Sequence, residues 1–218
     1  MSAVLLDHLV VAAPTLAAGA DWCEATFGVV AGAGGKHPLM STHNRLLKIA
    51  TSAFPDLYLE IVAIDPDAPP PGRRRWYGLD EIDLSAGPRL IHAVARTTMI
   101  DMHRWGLINV GQQPGEPLQV SRETPQGPLA WQLLVRDDGR LECDGALPTL
   151  IQWQGRHPAE AMAGSGVTLI SLALQGVPDR ARDVLRLRGV TVTVTAAAGP
   201  ALRAVFATPK GEVTLESS

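Results

Sequence analysis

The feature that most constrains the fold of this chain is an internal repeat. Residues 6–11 read Leu-Asp-His-Leu-Val-Val, and residues 90–95 read Leu-Ile-His-Ala-Val-Ala, with a histidine at the same place. Each copy is apolar and rich in β-branched residues, as in a buried strand, and each is followed by a helical segment and further strands. A unit that recurs within a chain buries its apolar face against another copy. The repeat therefore predicts an α+β fold of strand–helix–strand–strand–strand (βαβββ) units.

Three such units and two connections account for the length of the chain. The first unit covers residues 1–64, the second residues 89–155 and the third, more compact, residues 167–218. Five prolines fall within residues 65–88, and proline at this density opposes regular strand pairing. We therefore predict an extended linker there, with a second, shorter linker at residues 156–166.

Within the units, turn and cap residues mark the element ends. Thr15 is suited to cap a helix that runs to Phe27, and Gly28 is suited to end it. Residues 32–35 read Gly-Ala-Gly-Gly and predict a loop. In the third unit a strand is predicted to begin at Val190.

Composition narrows the class of protein. The formal net charge of −3 argues against a nucleic-acid partner, and no apolar run is long enough to span a membrane. The two cysteines, Cys23 and Cys143, are far apart and form no metal or disulfide motif. We expect a cytoplasmic protein that binds a small molecule. A third unit without a partner would expose an apolar sheet face, so a homodimer is also expected.

The repeated histidines suggest a metal site. Side chains alternate along a strand, so His8 and His92 occupy matching faces, and Glu60 and Gln152 lie in the closing strands of the two units. If the units pair across a pseudo-twofold axis, these four side chains converge. Two imidazoles, one carboxylate and one amide suit a divalent Zn, Ni, Mn or Fe ion. A lone histidine in an apolar strand is more often a core residue, but the second histidine and the buried carboxylate favour a metal.

Other residues are candidates for catalysis or binding. Glu60 is a candidate acid or base, and so is His37, which is expected in a loop over the pocket. Asn44 and His43 alternate faces on the next strand, so only one of them can point inward, and Asn44 is either a substrate-binding residue or a polar residue at the strand edge. Tyr58 and Trp153 supply aromatic surface, either for substrate or for the core. The arginines at residues 73–75 are suited to an anionic substrate, to another subunit or simply to solvent.

These residues also carry a family resemblance. The opening Leu-Asp-His-Leu-Val-Val and the later Tyr-Leu-Glu-Ile at residues 58–61 resemble the first and last strands of a vicinal-oxygen-chelate module. Residues 34–38 (Gly-Gly-Lys-His-Pro) and 41–44 (Ser-Thr-His-Asn) are similar to motifs of its glyoxalase-like domain subfamily, and this resemblance favours Asn44 over His43 as the residue that points inward. The resemblance covers roughly residues 4 to 175. It departs from the pattern at Ser41, where glycine is usual, and at Gln152, where isomerases often have glutamate.

The resemblance implies a fold and a set of functions. The fold is an incomplete barrel of paired βαβββ modules, of the glyoxalase/dihydroxybiphenyl-dioxygenase type. The superfamily's metal ligands map onto His8, Glu60, His92 and Gln152. The expected activity is that of a metal-dependent isomerase or lyase acting on a small oxygenated metabolite. An extradiol-type non-haem iron dioxygenase is an alternative, because two histidines and a carboxylate also bind such iron. A non-catalytic binding or resistance protein is another.

Overall fold

The structure, a computed structural model, describes residues 4–189, 191–195 and 200–217. The predicted strand start at Val190, the first three residues of the first unit and the last residue of the third unit lie outside the described residues.

The described elements follow the repeated order of the three units. The first unit comprises β1 (Leu5–Ala12), α1 (Leu16–Phe27), β2 (Gly32–His37), β3 (Thr42–Lys48) and β4 (Tyr58–Ile64). The second comprises β5 (Arg89–Arg96), α2 (Ile100–Asn109), β6 (Glu116–Arg122), β7 (Leu129–Val135) and β8 (Thr149–Gln154). The third comprises β9 (Thr168–Gln175), α3 (Asp179–Leu185), β10 (Thr191–Thr195), β11 (Leu202–Thr208) and β12 (Gly211–Glu216).

The first two units share one mixed sheet. Its strand order is β2-β3-β4-β1-β5-β8-β7-β6, and the units join through the antiparallel pair β1 and β5. This sheet curls into a half-barrel, while the third unit forms its own sheet in the order β10-β9-β11-β12. The predicted α+β fold with an incomplete barrel of βαβββ units is confirmed.

A matched pair of irregularities lies where the two units meet. Along β1 and β5, His8 is opposite Val94 and Val10 is opposite His92, so the two histidines hold symmetric positions. The register shifts between Leu6 and His8, and again opposite residues 90–92. Such bulges redirect side chains at the point where the extra residue is accommodated. The bulge in β1 falls at Asp7, which becomes important for the site.

Helix α1 has the ends that its sequence predicts. The Thr15 hydroxyl accepts a hydrogen bond from the Ala18 N–H at 3.1 Å, which satisfies one free donor of the first turn. Gly28 ends the helix in the left-handed region, at φ 77°. The buried face carries Cys23 and Phe27.

The glycines at residues 32–35 lie in strand β2, and the predicted loop is not formed there. Their role is close packing. A Cβ atom at Gly34 would lie 2.2 Å from the backbone oxygen of Asn44, and a Cβ at Gly35 would lie 2.0 Å from a guanidinium nitrogen of Arg122. Glycine in a strand often marks such an approach and not a turn, and sequence alone does not separate the two.

The third unit packs against the back of the barrel. Phe206 of β11 meets Phe27 of α1 edge-to-face, with ring centroids 5.2 Å apart. Lys210 Nζ donates to the carbonyl oxygens of Glu24 and Ala25 at the end of the same helix. The apolar face from which a homodimer was expected is therefore covered within the chain, and the oligomeric state stays a prediction. None of the described helices has the length and apolarity needed to cross a membrane.

The Pro-rich segment at residues 65–88 enters the barrel. A short 3₁₀ turn, Trp76–Gly78, places Trp76 and Tyr77 among the buried residues of the interior. Asp80 accepts hydrogen bonds from the backbone N–H of Arg75 and from its guanidinium. The segment therefore contributes a structural plug as well as a connection.

Candidate functional site

The concave side of the half-barrel encloses a cavity of about 30 Å³, room for about two water molecules. Its lining combines a few polar groups with an aromatic wall. The lining residues are His8, His37, Asn44, Leu46, Tyr58, Glu60, Trp76, Tyr77, Arg122, Trp131, Leu133, Ile151, Trp153 and Pro158. Six of the predicted site residues thus line one cavity: His8, His37, Asn44, Tyr58, Glu60 and Trp153.

The centre of the site is a hydrogen-bonded Asp7–His8 pair. His8 Nδ1 lies 2.6 Å from Asp7 Oδ1, and its ring stacks on Tyr58 with centroids 4.5 Å apart. The other Asp7 oxygen receives hydrogen bonds from Trp153 Nε1 and His157 Nε2, each at 3.0 Å. Burial opposes the charge of Asp7, but the hydrogen bonds from His157 and His8 hold its pKa below the usual range. An ionised Asp7 accepts a hydrogen bond from the Nδ1–H of His8, which leaves Nε2 free to act in the cavity.

Glu60 faces that free nitrogen. Its Oε2 lies 3.6 Å from His8 Nε2, and its Oε1 accepts a 2.6 Å hydrogen bond from Asn44 Nδ2. Asn44 is fixed in turn, because its Oδ1 accepts from the Gly35 N–H at 2.8 Å. Asn44 points inward, as the sequence predicts, and it orients the carboxylate.

His37 lies at the end of β2, beside Asn44. Its Nδ1 is 3.1 Å from the Thr42 hydroxyl, and its ring meets Trp76 edge-on with centroids 5.0 Å apart. Burial and the nearby Arg122 charge lower the pKa of His37 from 6.5 to about 3. His37 is therefore neutral at physiological pH, and it is held in the cavity wall instead of in a loop above it.

His92 does not line the cavity. Its Nδ1 donates to the Gly145 carbonyl at 2.7 Å, while its Nε2 accepts from the Thr149 N–H at 3.1 Å and lies 2.8 Å from the Thr149 hydroxyl. Burial lowers its pKa from 6.5 to about 4. With both nitrogens bonded to the protein, His92 has the contacts of a satisfied core histidine.

Gln152 points to the opposite side of the sheet. Its Oε1 accepts a 3.0 Å hydrogen bond from the N–H of Ile100, the first residue of α2. The strand register explains this correction. Val10 pairs with Glu60, whereas Val94, its equivalent in the second unit, pairs with Thr149. The structural equivalent of Glu60 is therefore Thr149, three positions before the glutamine suggested by the sequence.

The predicted ligand set does not fit a divalent metal ion. Only His8 and Glu60 of its four members face the cavity, and the other two are engaged in the hydrogen bonds just described. Among the described residues there is no group of three or more His, Cys, Asp or Glu side chains placed to hold a metal ion. A non-haem iron site of two histidines and one carboxylate is incomplete for the same reason, because His92 does not face the cavity with His8 and Glu60.

Sequence reasoning missed several members of the site. Strict alternation along β1 would put Asp7 and His8 on opposite faces, and the register shift at Asp7 allows the two side chains to pair. Arg122 sits in an alternating strand with no motif around it. Trp76 and Tyr77 stand in a segment that reads as a linker, and His157 in one that reads as a turn. The proximity of Asp7 to His8 was the one signal available in the sequence.

Comparisons with known proteins agree with this architecture. A family model described as a glyoxalase-like domain matches residues 6–202. No curated protein sequence matches the chain. A hypothetical protein from Staphylococcus aureus aligns with 100% of this chain and 87% of its own, at 13% identity and a TM-score of 0.54, which supports the fold.

Two epimerases align less well. Methylmalonyl-CoA epimerase from Streptomyces coelicolor aligns over 70% of this chain and 97% of its own, at 18% identity and a TM-score of 0.44. The enzyme from Mycobacterium tuberculosis aligns over 72% and 91%, at 14% identity and a TM-score of 0.41. Because the family model spans most of the sequence and the fold is the expected half-barrel, this chain belongs to the glyoxalase-like domain family, with the vicinal-oxygen-chelate fold.

Proposed function

We propose that this chain is an enzyme of isomerase or lyase type that moves a proton on a small oxygenated compound. The observation that carries the proposal is the Asp7–His8 pair, which faces Glu60 across 3.6 Å at the cavity. Two groups that can exchange protons, each oriented by a further hydrogen bond, are what general acid–base catalysis requires.

The chemistry follows from the hydrogen bonds. With Nδ1 held by Asp7, His8 Nε2 is the basic nitrogen, and it can remove a proton from carbon beside a carbonyl group. The C–H electron pair forms a carbon–carbon double bond while a C=O electron pair moves to the oxygen, which gives an enolate and protonated His8. Return of that proton to the neighbouring carbon, directly from His8 or through Glu60, completes an isomerisation. Loss of a leaving group from the enolate is the corresponding lyase reaction.

The composition of the cavity favours this acid–base route. Among its described lining residues there is no Ser, Thr, Cys or Lys, so the usual hydroxyl, thiol and amine nucleophiles do not face the cavity. The aromatic wall of Trp76, Tyr77 and Trp131 shields the polar groups from water, which strengthens their electrostatic effect on a bound compound.

A divalent Zn, Ni, Mn or Fe ion takes no part in the proposed steps. The reason is the engagement of His92 and Gln152 elsewhere, which leaves the family's ligand set incomplete.

The test is exchange of carbon-bound hydrogen with deuterated solvent, followed by proton NMR over a panel of small 2-oxo and 2-hydroxy compounds. We expect exchange with the wild-type protein and a loss of about 100-fold or more in His8→Gln and Glu60→Gln. His43→Gln is the control, because His43 is outside the cavity lining, and it retains exchange. Treatment with a chelator leaves the rate unchanged. Equal rates in wild type and His8→Gln, or loss on chelation with recovery on adding an ion, contradicts the proposal.

A non-catalytic binding protein is the second candidate, favoured by the small, largely aromatic cavity. In the same experiment it predicts that a compound binds and raises the melting temperature while its carbon-bound hydrogens do not exchange.

A further inference from the structure

Arg122 gives this cavity a charge that the acid–base chemistry does not use. We propose that the compound bound here is a small 2-oxo or 2-hydroxy carboxylate, and that Arg122 holds its carboxylate group. This inference rests on the proposed function.

Arg122 is the one lysine or arginine among the described lining residues of the cavity. It reaches inward from the end of β6, the edge strand of the second unit. Several arginines elsewhere in the described structure have carboxylate partners, among them Arg75 with Asp80, Arg96 with Asp56, Arg136 with Asp138 and Arg203 with Glu216. No described carboxylate lies within ion-pair distance of Arg122.

The hydrogen bonds of Arg122 are also incomplete. Its Nη1 makes one long contact, 3.4 Å to Asn44 Oδ1, and its Nε is buried without a partner. A guanidinium stays charged in proteins and offers five N–H donors in a planar fork that matches a carboxylate. Partly buried donors without acceptors cost free energy, which an anionic ligand would recover.

The backbone around Arg122 is shaped to admit it. A Cβ atom at Gly35 would lie 2.0 Å from Arg122 Nη1 and 2.8 Å from its Cζ. Gly35 has no φ in the left-handed region, so its need for glycine comes from the guanidinium and not from backbone strain. This approach joins β2, at one end of the eight-stranded sheet, to β6 at the other end.

Asn44 places the guanidinium beside the reacting groups. Its amide nitrogen donates to Glu60 Oε1 at 2.6 Å, and its amide oxygen faces Arg122 Nη1 at 3.4 Å. A carboxylate bound by Arg122 would therefore have its neighbouring carbon directed toward the His8–Glu60 pair. That neighbouring carbon, or the next one, is where a 2-oxo or 2-hydroxy acid undergoes proton transfer.

The other charged groups at the cavity are negative, so binding of an anionic compound depends on Arg122. Asp7 is ionised and fully buried beside the cavity, and Glu60 lines it, so without Arg122 the polar end would repel a carboxylate. With Arg122 present, the acid is favoured over the uncharged amide of the same shape.

Two probe pairs test this inference: pyruvate with pyruvamide, and glycolate with glycolamide. Each pair has matched shape and differs in charge. Binding is followed by tryptophan fluorescence, because Trp76, Trp131 and Trp153 line the cavity, and by calorimetry. We expect at least one acid to bind about tenfold or more tightly than its amide in the wild type.

Four variants assign the preference to Arg122. Arg122→Gln loses the preference for the acid, and Arg122→Lys keeps part of it. Gly35→Ala folds but displaces the guanidinium, so it weakens acid binding, and adding it to Arg122→Gln causes no further loss. Arg203→Gln, on the third unit, behaves as the wild type.

The outcomes separate this inference from the proposed function. Glu60→Gln loses hydrogen exchange but binds the acid as tightly as the wild type or more tightly, since a nearby negative charge is gone. If the acids bind but neither the wild type nor any variant exchanges carbon-bound hydrogen, the inference is supported and the proposed function fails. Equal affinity for acid and amide, no effect of Arg122→Gln, or no binding of either acid at millimolar concentration overturns the inference.

Discussion

At the scale of single residues, the site is defined by one buried carboxylate. Asp7 is 0% exposed and accepts from three different side chains, those of His8, Trp153 and His157. These donors come from the first strand, the last strand of the second unit and the connection after it. Asp7 therefore both orients the proposed base and ties the two halves of the barrel together.

Asp7→Asn should disable both roles. An amide has one acceptor oxygen, so at least one of the three donors meets an N–H₂ group and His8 loses its fixed tautomer. We expect hydrogen exchange to fall about 100-fold or more, and the free energy of unfolding to fall by about 3 kcal/mol, as when one partner of a buried charged network is removed. The measurements are NMR exchange and urea unfolding.

The control for that variant is Asp138→Asn, whose ion pair with Arg136 lies at the surface. It should change stability by less than about 1 kcal/mol and leave exchange unaltered. Equal effects of the two substitutions would remove Asp7 from its assigned role.

The buried histidines predict a pH dependence of stability. The pKa falls from 6.5 to about 4 for His92 and to about 3 for His37. Between pH 6.5 and about 4 the unfolded chain therefore binds protons that the folded chain does not, so the free energy of unfolding decreases as the pH falls. The loss due to His92 is on the order of 3 kcal/mol.

Urea unfolding across this window checks the sign and the size. Asp7 does not contribute to the change, because a lowered carboxyl pKa acts only at lower pH. His37→Gln should flatten the curve by removing one of the two groups. A stability that stays constant or rises on acidification is incompatible with neutral, buried imidazoles.

At the scale of elements, the segment of residues 65–88 connects two units, as its composition predicts, and also fills part of the barrel interior. Prolines correctly predict that it forms no strand. Composition says nothing about where the chain goes, and Trp76 and Tyr77 are 3% and 6% exposed inside the barrel. The turn is held by Asp80 and by Gly139, whose carbonyl accepts from the Gly78 N–H at 2.8 Å.

Gly139→Ala should displace this plug. A Cβ atom there would lie 2.2 Å from the carbonyl oxygen of Arg75, at a φ of +70°. We expect roughly 1–3 kcal/mol of lost stability, a red-shifted tryptophan emission and easier acrylamide quenching. Gly155→Ala is the matched control, because its φ is +82° and no atom lies within 4 Å of the new Cβ. If both variants behave alike, backbone strain accounts for the effect and the plug is not held by Gly139.

At the scale of the whole molecule, the repeat predicts the architecture well and the site only in part. Matching strands in two units are enough to indicate a shared barrel, because each unit needs another to bury its apolar face. His8, Glu60 and Asn44 could be found by alternation and motif. Gln152 could not be placed, since similar strand sequences do not determine register, and Arg122 has no local signal. The sequence also did not predict what the sheet of the third unit packs against. That sheet packs against α1 of the first unit, and no sequence pattern indicates this contact.

This packing predicts that the chain unfolds as one body. Phe206 is fully buried and contacts Phe27, so Phe206→Ala should cost about 3–5 kcal/mol. All five tryptophans precede the third unit, and three of them, Trp76, Trp131 and Trp153, line the cavity and report on the barrel. If the third sheet supports the barrel through α1, the tryptophan fluorescence and the far-ultraviolet circular dichroism shift together, in one transition.

Ile170→Ala is the control for Phe206→Ala. Ile170 lies on the same sheet, is 44% exposed, and its substitution should change stability by less than about 1 kcal/mol. Two separate transitions in Phe206→Ala, with the tryptophan signal unmoved, would show that the third unit folds independently of the site.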